Sequence, residues 1–433
     1  MPNLSSVSKS EPWWGGILLI IGVALAAYII SLSEFFETLD HRIYDFYFQW
    51  RGKLPTTESP LAIAAIDQRT ADSLSFPFDR RHYGELIDHL DQLGAKWIVL
   101  DVDFSSVGAN PASDSAFKAA ISRCGKVVLA GKIDYAYHSG LRDPLIEIVR
   151  PVPQIASPKT PFGLVNDYTD ADGVSRRYPL FISVRDTAFL SLGLKTLALL
   201  QNLKDVPRID RDGYCLFGDL RIPMMDSSTC LLNYYGPAGT FPVYSFIDII
   251  NGVYDTDDLL KSLTSEERAL LEQMGTADQM KEVLAESPFK DKIVLVGATA
   301  EDLHDDKATP FFTTLKPLRT PGVEVHAHAL QMLLDTSFLR PIRLGWMLLG
   351  TLLISFFTYL TGRFWTHWRG LAAAAGLIML AVAAGFGLFE TQGLWLREMP
   401  LLLTATIGYP VNLLFSIIKA QREKALIRSI FGH

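Results

Sequence analysis

The sequence predicts an α/β domain, with a mostly parallel sheet covered by helices on both faces and some antiparallel strands, plus four transmembrane α-helices. Two observations predict this class. Short continuous apolar runs alternate with amphipathic helical patterns through the middle of the chain, which is typical of a parallel sheet. Four uncharged runs of at least 19 residues lie toward the two ends, and about 20 apolar residues suffice to cross a bilayer.

The predicted spans occupy residues 15–33, 342–362, 370–389 and 399–418. None has a charge at its centre, where a single charge costs about 2.5–3.5 kcal/mol on insertion scales. The first run has an alternative interpretation as a cleaved signal peptide, because Ala24-Leu-Ala26 resembles a cleavage site. We favour an uncleaved anchor, since the apolar run extends to Leu32 and helical spacing then continues straight into the next domain.

Basic residues in the short loops predict the orientation of these spans. Arg363 and Arg369 lie between the second and third spans, and residues 419–433 carry four basic side chains. The loop between the third and fourth spans has one Arg and two Glu. The positive-inside tendency therefore places residues 1–14 and 419–433 in the cytoplasm and residues 34–341 outside it.

The charge of the predicted outer domain excludes one class of partner. Residues 34–341 carry 31 basic and 43 acidic side chains, so their formal charge is −12 against −7 for the whole chain. A chain that grips phosphates concentrates Lys and Arg on its folded part, so no nucleic acid is expected as a partner. Cys124, Cys215 and Cys230 lack metal-ligand spacing, which excludes a zinc ribbon, and a Cys215–Cys230 disulfide is left open.

The elements of the outer domain follow from the apolar spacing. Buried strands are predicted at residues 61–66, 97–100, 127–130 and 293–296, and helices at 83–93, 116–121 and 323–334. Strand-like segments with turns between them predict an antiparallel portion at 174–184, 215–222 and 229–235. Residues 257–286 are charged and predict an exposed helical excursion.

Candidate ligand-binding residues lie where predicted strands end. Asp67, Asp101 and Asp103 follow two parallel strands, and open α/β sheets bind ligands beyond those ends. With Arg80 and Thr299 they form the predicted ligand site. The alternative is that the carboxylates cap helices or pair with Arg80 and its neighbour. Thr299 lies in a small-residue loop, Gly297-Ala-Thr-Ala300, for which tight turn packing is the favoured explanation.

The sequence contains one cluster of histidines and aspartates that could hold a metal ion, but its spacing does not favour this. His304-Asp-Asp306 with His326 and His328 is the plausible cluster, but residues two apart on a helix point in different directions. Surface or core histidines are the default, and no metal is predicted. Motifs of soluble hydrolases and kinases are absent from the sequence, so the outer domain is not expected to be a catalyst.

Several segments within residues 43–341 occur in the order found in type-2 CHASE sensors (cyclases/histidine kinases associated sensory extracellular domains, second type), which this region resembles. They are Ala65-Ile-Asp67, Phe76-Pro-Phe-Asp-Arg80 with Tyr83, Gly94-Ala-Lys-Trp-Ile-Val-Leu-Asp101, Gly163-Leu-Val-Asn166, Asp170-Ala-Asp-Gly-Val-Ser-Arg-Arg177, Leu232-Asn-Tyr-Tyr-Gly-Pro-Ala-Gly-Thr-Phe-Pro242 with Ser245-Phe246, Lys292-Ile-Val-Leu-Val-Gly-Ala-Thr-Ala300 and Pro321-Gly-Val-Glu-Val-His-Ala-His328. The family usually has tryptophans at the positions of Phe76 and Phe78.

The resemblance implies a receptor in the bacterial inner (plasma) membrane, with lipid around its spans, which acts as a homodimer and has an unknown small ligand or periplasmic protein as stimulus. Residues 419–433 are similar to the linker that enters a class III nucleotide cyclase, so the parent protein is expected to be an adenylate cyclase. Mg or Mn is expected only for that missing cyclase domain, and no cofactor or catalytic residue is expected in this chain.

Three alternatives stay open. The same sensor could control a histidine or serine/threonine kinase. The chain could be a membrane-anchored scaffold with no enzymatic output. It could also be an outer-face metal-dependent hydrolase that uses Asp67, Asp101, Asp103, His304 and His326.

Overall fold

The computed structural model describes residues 14–56, 58–136, 145–185, 187–252, 287–313, 317–365 and 367–431. The chain divides into two compact units. One, the helical unit, comprises Met1–Trp50 and Leu339–His433, and the other, the sheet domain, comprises Arg51–Phe338. The helical excursion predicted for residues 257–286 lies outside the described residues.

The elements are numbered here in chain order. The helices are α1 (Trp14–Ser31), α2 (Glu34–Arg51), α3 (Gln68–Leu74), α4 (Arg81–Gln92), α5 (Pro111–Cys124), α6 (Leu192–Leu200), α7 (Phe246–Asn251), α8 (Gly322–Leu334), α9 (Leu344–Phe364), α10 (His367–Gln392) and α11 (Met399–Phe431). The strands are β1 (Leu61–Ile66), β2 (Trp97–Asp101), β3 (Val127–Ala136), β4 (Leu145–Val149), β5 (Phe162–Leu164), β6 (Arg177–Pro179), β7 (Phe181–Val184), β8 (Thr187–Leu190), β9 (Arg208–Ile209), β10 (Tyr214–Phe217), β11 (Leu220–Pro223), β12 (Thr229–Leu231), β13 (Val243–Ser245), β14 (Ile293–Ala298), β15 (Asp306–Lys307), β16 (Thr320–Pro321), β17 (Arg340–Pro341) and β18 (Leu394–Trp395).

The sheet domain is built on a mostly parallel sheet. Strands β13, β1, β14, β2, β3 and β5 lie side by side in parallel, and β4 pairs antiparallel with the second half of β3. Ala64 of β1 pairs with Val296 of β14, and Val296 pairs with Leu100 of β2. Between β2 and β3, Val99 pairs with Val128. All six residues of β1 are buried, as a strand covered on both faces requires. The predicted mixed α/β class is confirmed.

Helices cover both faces of this sheet. Side chains alternate between the faces of a strand, and Ala62, Ala64 and Ile66 of β1 and Val294 and Val296 of β14 share one core with α4, α5 and α7. On the opposite face, a Cβ built on Gly297 of β14 would lie 2.6 Å from Cβ of Val323 on α8. Glycine at 297 therefore allows α8 to pack directly on the sheet, which agrees with the packing explanation of the loop that begins there.

The predicted antiparallel portion is present as three small ladders. The 174–184 segment forms β6 and β7, of which β6 pairs with β12 and β7 with β8. The 215–222 segment forms the β10–β11 hairpin, which turns at Gly218 with φ +57°. The 229–235 segment is a strand only as far as Leu231, because the following residues bind helix α8 and Arg51 instead of a neighbouring strand.

Among the residues that the structure describes, the helical unit contains four helices that are long and apolar enough to cross a membrane. They are Trp14–Ser31, Leu344–Phe364, Trp368–Gln392 and Met399–Ala425. The chain does not continue as one helix from the first of these into the sheet domain. Helix α1 ends at Ser31, turn bonds from Leu32 and Ser33 close its last turn, and α2 begins separately at Glu34.

Small and polar side chains fill the contacts inside the helical unit. Ala27 and Ala405 are almost fully buried, and Asn412 Nδ2 donates to Thr358 Oγ1 at 3.1 Å. Tyr47 OH donates to Glu398 Oε1 at 2.7 Å, and Asp40 Oδ1 accepts from Met399 N at 2.8 Å. Close packing of small residues and hydrogen bonds are the usual sources of helix association in an apolar medium.

Candidate functional site

A cavity of about 210 Å³ opens at the carboxyl edge of the parallel sheet. It lies beyond the ends of β2 and β5 and against the first turns of α8, at the edge where open α/β sheets bind ligands. Its wall is formed by Asp101, Asp103, Val165, Asn166, Asp167, Tyr168, Ser175, Arg177, Tyr178, Pro179, Asp305, Lys307, Gly322, Val325 and His326. It is smaller than the roughly 300–1,000 Å³ typical of pockets for drug-sized ligands, so it fits a small molecule.

Asp101 is the buried acid of this cavity. It is the last residue of β2, and its side chain is 9% exposed. His326 Nε2 lies 3.8 Å from its Oδ2, too far for a hydrogen bond. Burial, reinforced by the negative charge of Asp305 and opposed by Lys307, raises the pKa of Asp101 to about 8. The carboxyl is therefore mostly protonated at neutral pH.

His326 joins Asp101 to a tyrosine deeper in the domain. Its Nδ1 lies 2.8 Å from the hydroxyl of Tyr178, which also accepts a bond from the backbone N–H of Gly193 at 3.1 Å. We assign the hydroxyl proton to the bond with Nδ1, because this leaves the ring proton on Nε2, facing Asp101. Burial lowers the pKa of His326 to about 4, so the ring is neutral.

The other carboxylates of the cavity have cationic partners. Lys307 Nζ lies 2.9 Å from Asp167 Oδ2 and 3.7 Å from Asp305 Oδ1. Asp103 Oδ2 lies 3.5 Å from Lys132 Nζ. Partial burial disfavours the charge of Asp103, but hydrogen bonds from Ser105 and the charge of Lys132 outweigh it and lower its pKa. Asp101 thus differs from its neighbours in having no Lys or Arg nitrogen of the described residues within 4 Å.

Two consecutive arginines hold the opposite wall. Arg176 is buried, with Nη1 3.0 Å from Asp170 Oδ2 and Nη2 2.7 Å from Asp172 Oδ2. Arg177 donates to Asp170 Oδ1 at 2.6 Å, and its guanidinium lies 3.9 Å from the ring centre of Tyr168. The Asp170-to-Arg177 segment is therefore a closed ion-pair network, and the charge of Arg177 is already balanced where it meets the cavity.

The structure brings two of the five predicted ligand-binding residues to this cavity, Asp101 and Asp103. Asp67 is the N-cap of α3, where Oδ1 accepts from Thr70 N at 2.9 Å and from Ser245 Oγ at 2.9 Å. Arg80 donates to Asp114 and to Ser106 O. The Asp67 contacts are those of the capping alternative, whereas Arg80 pairs with Asp114 and not with one of the three candidate aspartates. A role in binding stays a prediction for both Asp67 and Arg80.

Thr299 is held through its backbone N–H, which donates to Ile66 O at 3.1 Å.

The residues of the metal alternative do not come together. Within the described residues no group of three or more His, Cys, Asp or Glu side chains is placed to hold a metal ion. Asp305 and His326 line the cavity, whereas His328 is a core histidine that accepts a bond from Tyr235 N at 3.1 Å. Cys215 and Cys230 are buried and free, so the disulfide left open by the sequence is not formed.

A second set of polar contacts, here called the clasp, consists of Arg51, Asn233, Tyr235, Asp335 and Ser337. Arg51 donates to Asn233 Oδ1 at 3.0 Å and to Tyr234 O at 2.5 Å. Asn233 Nδ2 donates to Ser337 O at 3.0 Å, and Tyr235 OH donates to Asp335 Oδ2 at 2.6 Å. Arg51 is the first residue of the sheet domain and Ser337 nearly the last, so one loop binds both ends of the domain.

Sequence reasoning missed the partners of these sites. Tyr178 lies within the strand-like segment predicted at 174–184, and no element is predicted at Gly193. Of the clasp residues, Asn233 and Tyr235 lie within the segment predicted as strand-like at 229–235, and no contact is predicted for any of the five. A signal was present in α8, whose residues from Gly322 to Leu333 are all buried although they include Glu324, His326 and His328. Polar side chains on a helix without an exposed face must bind something inside the domain.

The fold and the cavity define a class of protein: an α/β domain with a small polar cavity at the carboxyl edge of its sheet, joined to a unit of membrane-compatible helices. The CHASE2 domain model matches residues 18–362, which is most of the chain. The chain therefore belongs to the CHASE2 domain family, whose members are extracellular sensors. No curated protein and no solved structure matches the chain.

Proposed function

We propose that the chain is a transmembrane signal-transducing receptor that binds its stimulus in the cavity of the sheet domain. The observation that carries this proposal is Asp101, a buried acid with no ion-pair partner at the ligand-binding edge of a parallel sheet. Membership of a family of extracellular sensors and four membrane-compatible helices support the receptor class.

Helix α8 provides a route out of the cavity. Gly322, Val325 and His326 in its first turns line the cavity, and its last residue, Leu334, directly precedes Asp335 of the clasp. A ligand that binds one position of α8 more tightly than another shifts the population of the two positions. The chain then continues into α9, which begins at Leu344.

The clasp couples this movement to the other end of the domain. It holds Arg51, the last residue of α2, through Asn233 and Tyr234. A change at Asp335 and Ser337 therefore reaches both segments that connect the sheet domain to apolar helices. Typical coupling free energies of about 1–3 kcal/mol correspond to roughly 5- to 150-fold changes in output.

The proposed output is a nucleotide cyclase that makes cAMP from ATP, controlled across the membrane by a homodimer of the receptor. The support is the similarity of residues 419–433 to a cyclase linker, and α11 runs as a helix through this segment to Phe431. A histidine or serine/threonine kinase and a scaffold without enzymatic output are the other candidates. The cyclase output is tested by joining residues 1–433 to the catalytic domain of a class III cyclase. We expect cAMP synthesis by this fusion to respond to ligands of the cavity, and a rate that does not respond would contradict the proposed output.

Orientation is tested with a membrane-impermeant maleimide on intact cells. The native cysteines are buried, so single cysteines at exposed positions report alone. We expect Asp212→Cys to be labelled, because this side chain is 64% exposed in the proposed outer domain. Arg422→Cys is the matched cytoplasmic position and is expected to be protected until the cells are permeabilised. The reverse pattern would contradict an extracytoplasmic sheet domain.

A further inference from the structure

We infer that the cavity takes a small cationic ligand, with an ammonium or guanidinium group that pairs with Asp101. This inference rests on the proposed function, since it names the ligand class of the same site. Most polar groups on the cavity wall already have partners within the described part of the protein, and one does not.

Most polar side chains of the wall are committed to the protein. Asn166 accepts from Ile133 N and donates to Ile133 O, both at 2.8 Å. Ser175 donates to Tyr168 O at 3.1 Å, and Tyr178 is held between Gly193 and His326. None of these groups must change partner to admit a ligand. They shape the wall, while recognition falls to the groups that remain.

Asp101 is the group that remains. More than nine-tenths of its side chain is buried, it makes no hydrogen bond to the described residues, and it lines the cavity. A buried carboxyl without a partner is costly, so such a group in a cavity marks the position of a missing donor. A charged N–H donor gives the strongest bond that a carboxylate can accept.

The surrounding charges select a cation over an anion. The wall carries four aspartates, Asp101, Asp103, Asp167 and Asp305, against two basic side chains. Lys307 is already shared by Asp167 and Asp305, and Arg177 is bound to Asp170. An anionic ligand would meet basic side chains that are already paired and carboxylates that repel it, whereas a cationic ligand meets an excess of negative charge.

His326 sharpens this selection without competing for the site. The ring is neutral, so it adds no positive charge beside Asp101, and in the assigned tautomer Nδ1 accepts from Tyr178 while Nε2 carries the proton. Because Nε2–H stays 3.8 Å from Asp101, the imidazole leaves both carboxylate oxygens available to a ligand. The volume of about 210 Å³ restricts that ligand to a compact molecule such as a short amine.

Binding of a permanent cation is expected to be coupled to proton release. The groups that face Asp101 are His326, Asp305 and Lys307, with Asp103 and Asp167 on the same wall. Burial keeps Asp101 protonated below about pH 8, and a bound cation favours its ionised form. Affinity is therefore expected to rise with pH, by up to about tenfold per pH unit, until the pH reaches the pKa of Asp101.

The test uses the full chain in lipid nanodiscs and isothermal titration calorimetry at millimolar probe concentrations. The cationic probes are putrescine, ethanolamine, choline and methylguanidine, and butane-1,4-diol and succinate are the neutral and anionic counterparts of putrescine. We expect at least one cation to bind, more tightly at higher pH, with neither counterpart binding comparably.

Asp101→Asn is expected to weaken cation binding at least tenfold. This variant is expected to fold, because the native carboxyl is mostly protonated and the amide has the same shape. Asp212→Asn, an exposed change outside the cavity, is the matched control and is expected to bind as the native chain does. A melting curve of each variant checks that the fold is intact.

The other outcomes separate this inference from the proposed function. If butane-1,4-diol or succinate binds best and Asp101→Asn abolishes that binding, the cavity is the receptor site and the cationic ligand class is wrong. Cation binding unaffected by Asp101→Asn also overturns the inference. If none of the six probes binds, both the ligand class and the cavity as receptor site are wrong.

Discussion

The two ends of helix α8 differ in how the buried polar side chains around them are hydrogen-bonded. At the first end, His326 faces Asp101 across 3.8 Å, and the carboxyl has no hydrogen bond within the described part of the domain. In the middle of the helix, His328 accepts from Tyr235 N, and at the other end Tyr235 OH is bound to both Asp335 and Ser337. Hydrogen bonds among these side chains fix the backbone there, whereas a carboxyl without a hydrogen bond leaves a place for a ligand. The helix thus has a receptive end and a rigid end.

The largest effect is expected at the rigid end, from Asn233→Ala. The change removes the acceptor for Arg51 and the donor to Ser337 O, which leaves a partly buried guanidinium and a carbonyl without these partners. We expect a loss of about 2–4 kcal/mol in the free energy of unfolding, measured by chemical denaturation.

Asn251→Ala, at an exposed position at the end of α7, is the control and is expected to change stability by about 0.5 kcal/mol or less. Equal effects of the two changes would mean that the clasp is not a stabilising network. In the cyclase fusion, Asn233→Ala is also expected to reduce the response to ligand more than it reduces basal activity.

The next effect is expected where α8 meets the sheet, from Gly297→Ala. The added Cβ would overlap Val323, so α8 must move away from β14 near the cavity. We expect a loss of about 1–3 kcal/mol, as for other overpacked cores. Gly84→Ala, inside α4, is the matched control: its Cβ would make ordinary 3.5 Å contacts with Ala120 and Phe117 of α5, so the change is expected to be neutral or stabilising. A neutral Gly297→Ala would show that the contact with Val323 is not tight.

A smaller effect is expected at the receptive end, in the pH dependence of stability. The folded pKa of Asp101, about 8, exceeds the ordinary value of 3.8, so the folded state binds more protons between these values. The contribution of Asp101 is therefore complete below pH 3.8 and lost as pH rises toward 8, with a slope of up to about 1.4 kcal/mol per pH unit.

His326 and His328 act in the opposite direction, but at lower pH. Burial lowers their folded pKa values to about 4 and about 3, so the stability they contribute is lost as pH falls below 6.5. Between about pH 6.5 and 8 neither histidine contributes to the pH dependence, and the comparison with Asp101→Asn isolates the effect of Asp101. We expect the native chain to lose stability relative to Asp101→Asn across this window, and parallel pH curves would contradict the raised pKa.

The smallest effect is expected from Asp103→Asn, which sharpens the contrast within the cavity. Asp103 is 57% exposed and lies 3.5 Å from Lys132, so its ion pair is largely screened by water. We expect a change in unfolding free energy of about 0.5 kcal/mol or less, with almost no change in its pH dependence between pH 6.5 and 8. If Asp103→Asn changed the pH dependence as Asp101→Asn does, the titration would have been assigned to the wrong aspartate.

Much of the sheet could be predicted because its strands are continuous apolar runs. Strand β1 matches its predicted bounds, 61–66, and β2 and β14 exceed theirs by one and two residues. The break between α1 and α2 was missed, since helical spacing is preserved across Leu32 and Ser33 while the backbone turns there.

The candidate site was predicted only in part, for a reason that Asp67 and Asp101 illustrate. Both follow a buried strand, and nothing local distinguishes their roles. Asp67 is bound by Thr70 and by Ser245, which is 178 residues away, whereas Asp101 meets a histidine from α8. Contacts of such sequence separation depend on tertiary packing, so periodicity and strand ends identify the edge of the sheet but not the acid left without a partner.

The burial of α8 has a consequence for the form of the response. Its residues from Gly322 to Leu333 have almost no contact with solvent, so the helix cannot drift by small amounts without disturbing tightly packed neighbours on every side. Packed interiors of this kind tend to exchange between discrete arrangements. Each receptor molecule is therefore expected to be on or off, and a graded cellular response then reflects the proportion of molecules switched on.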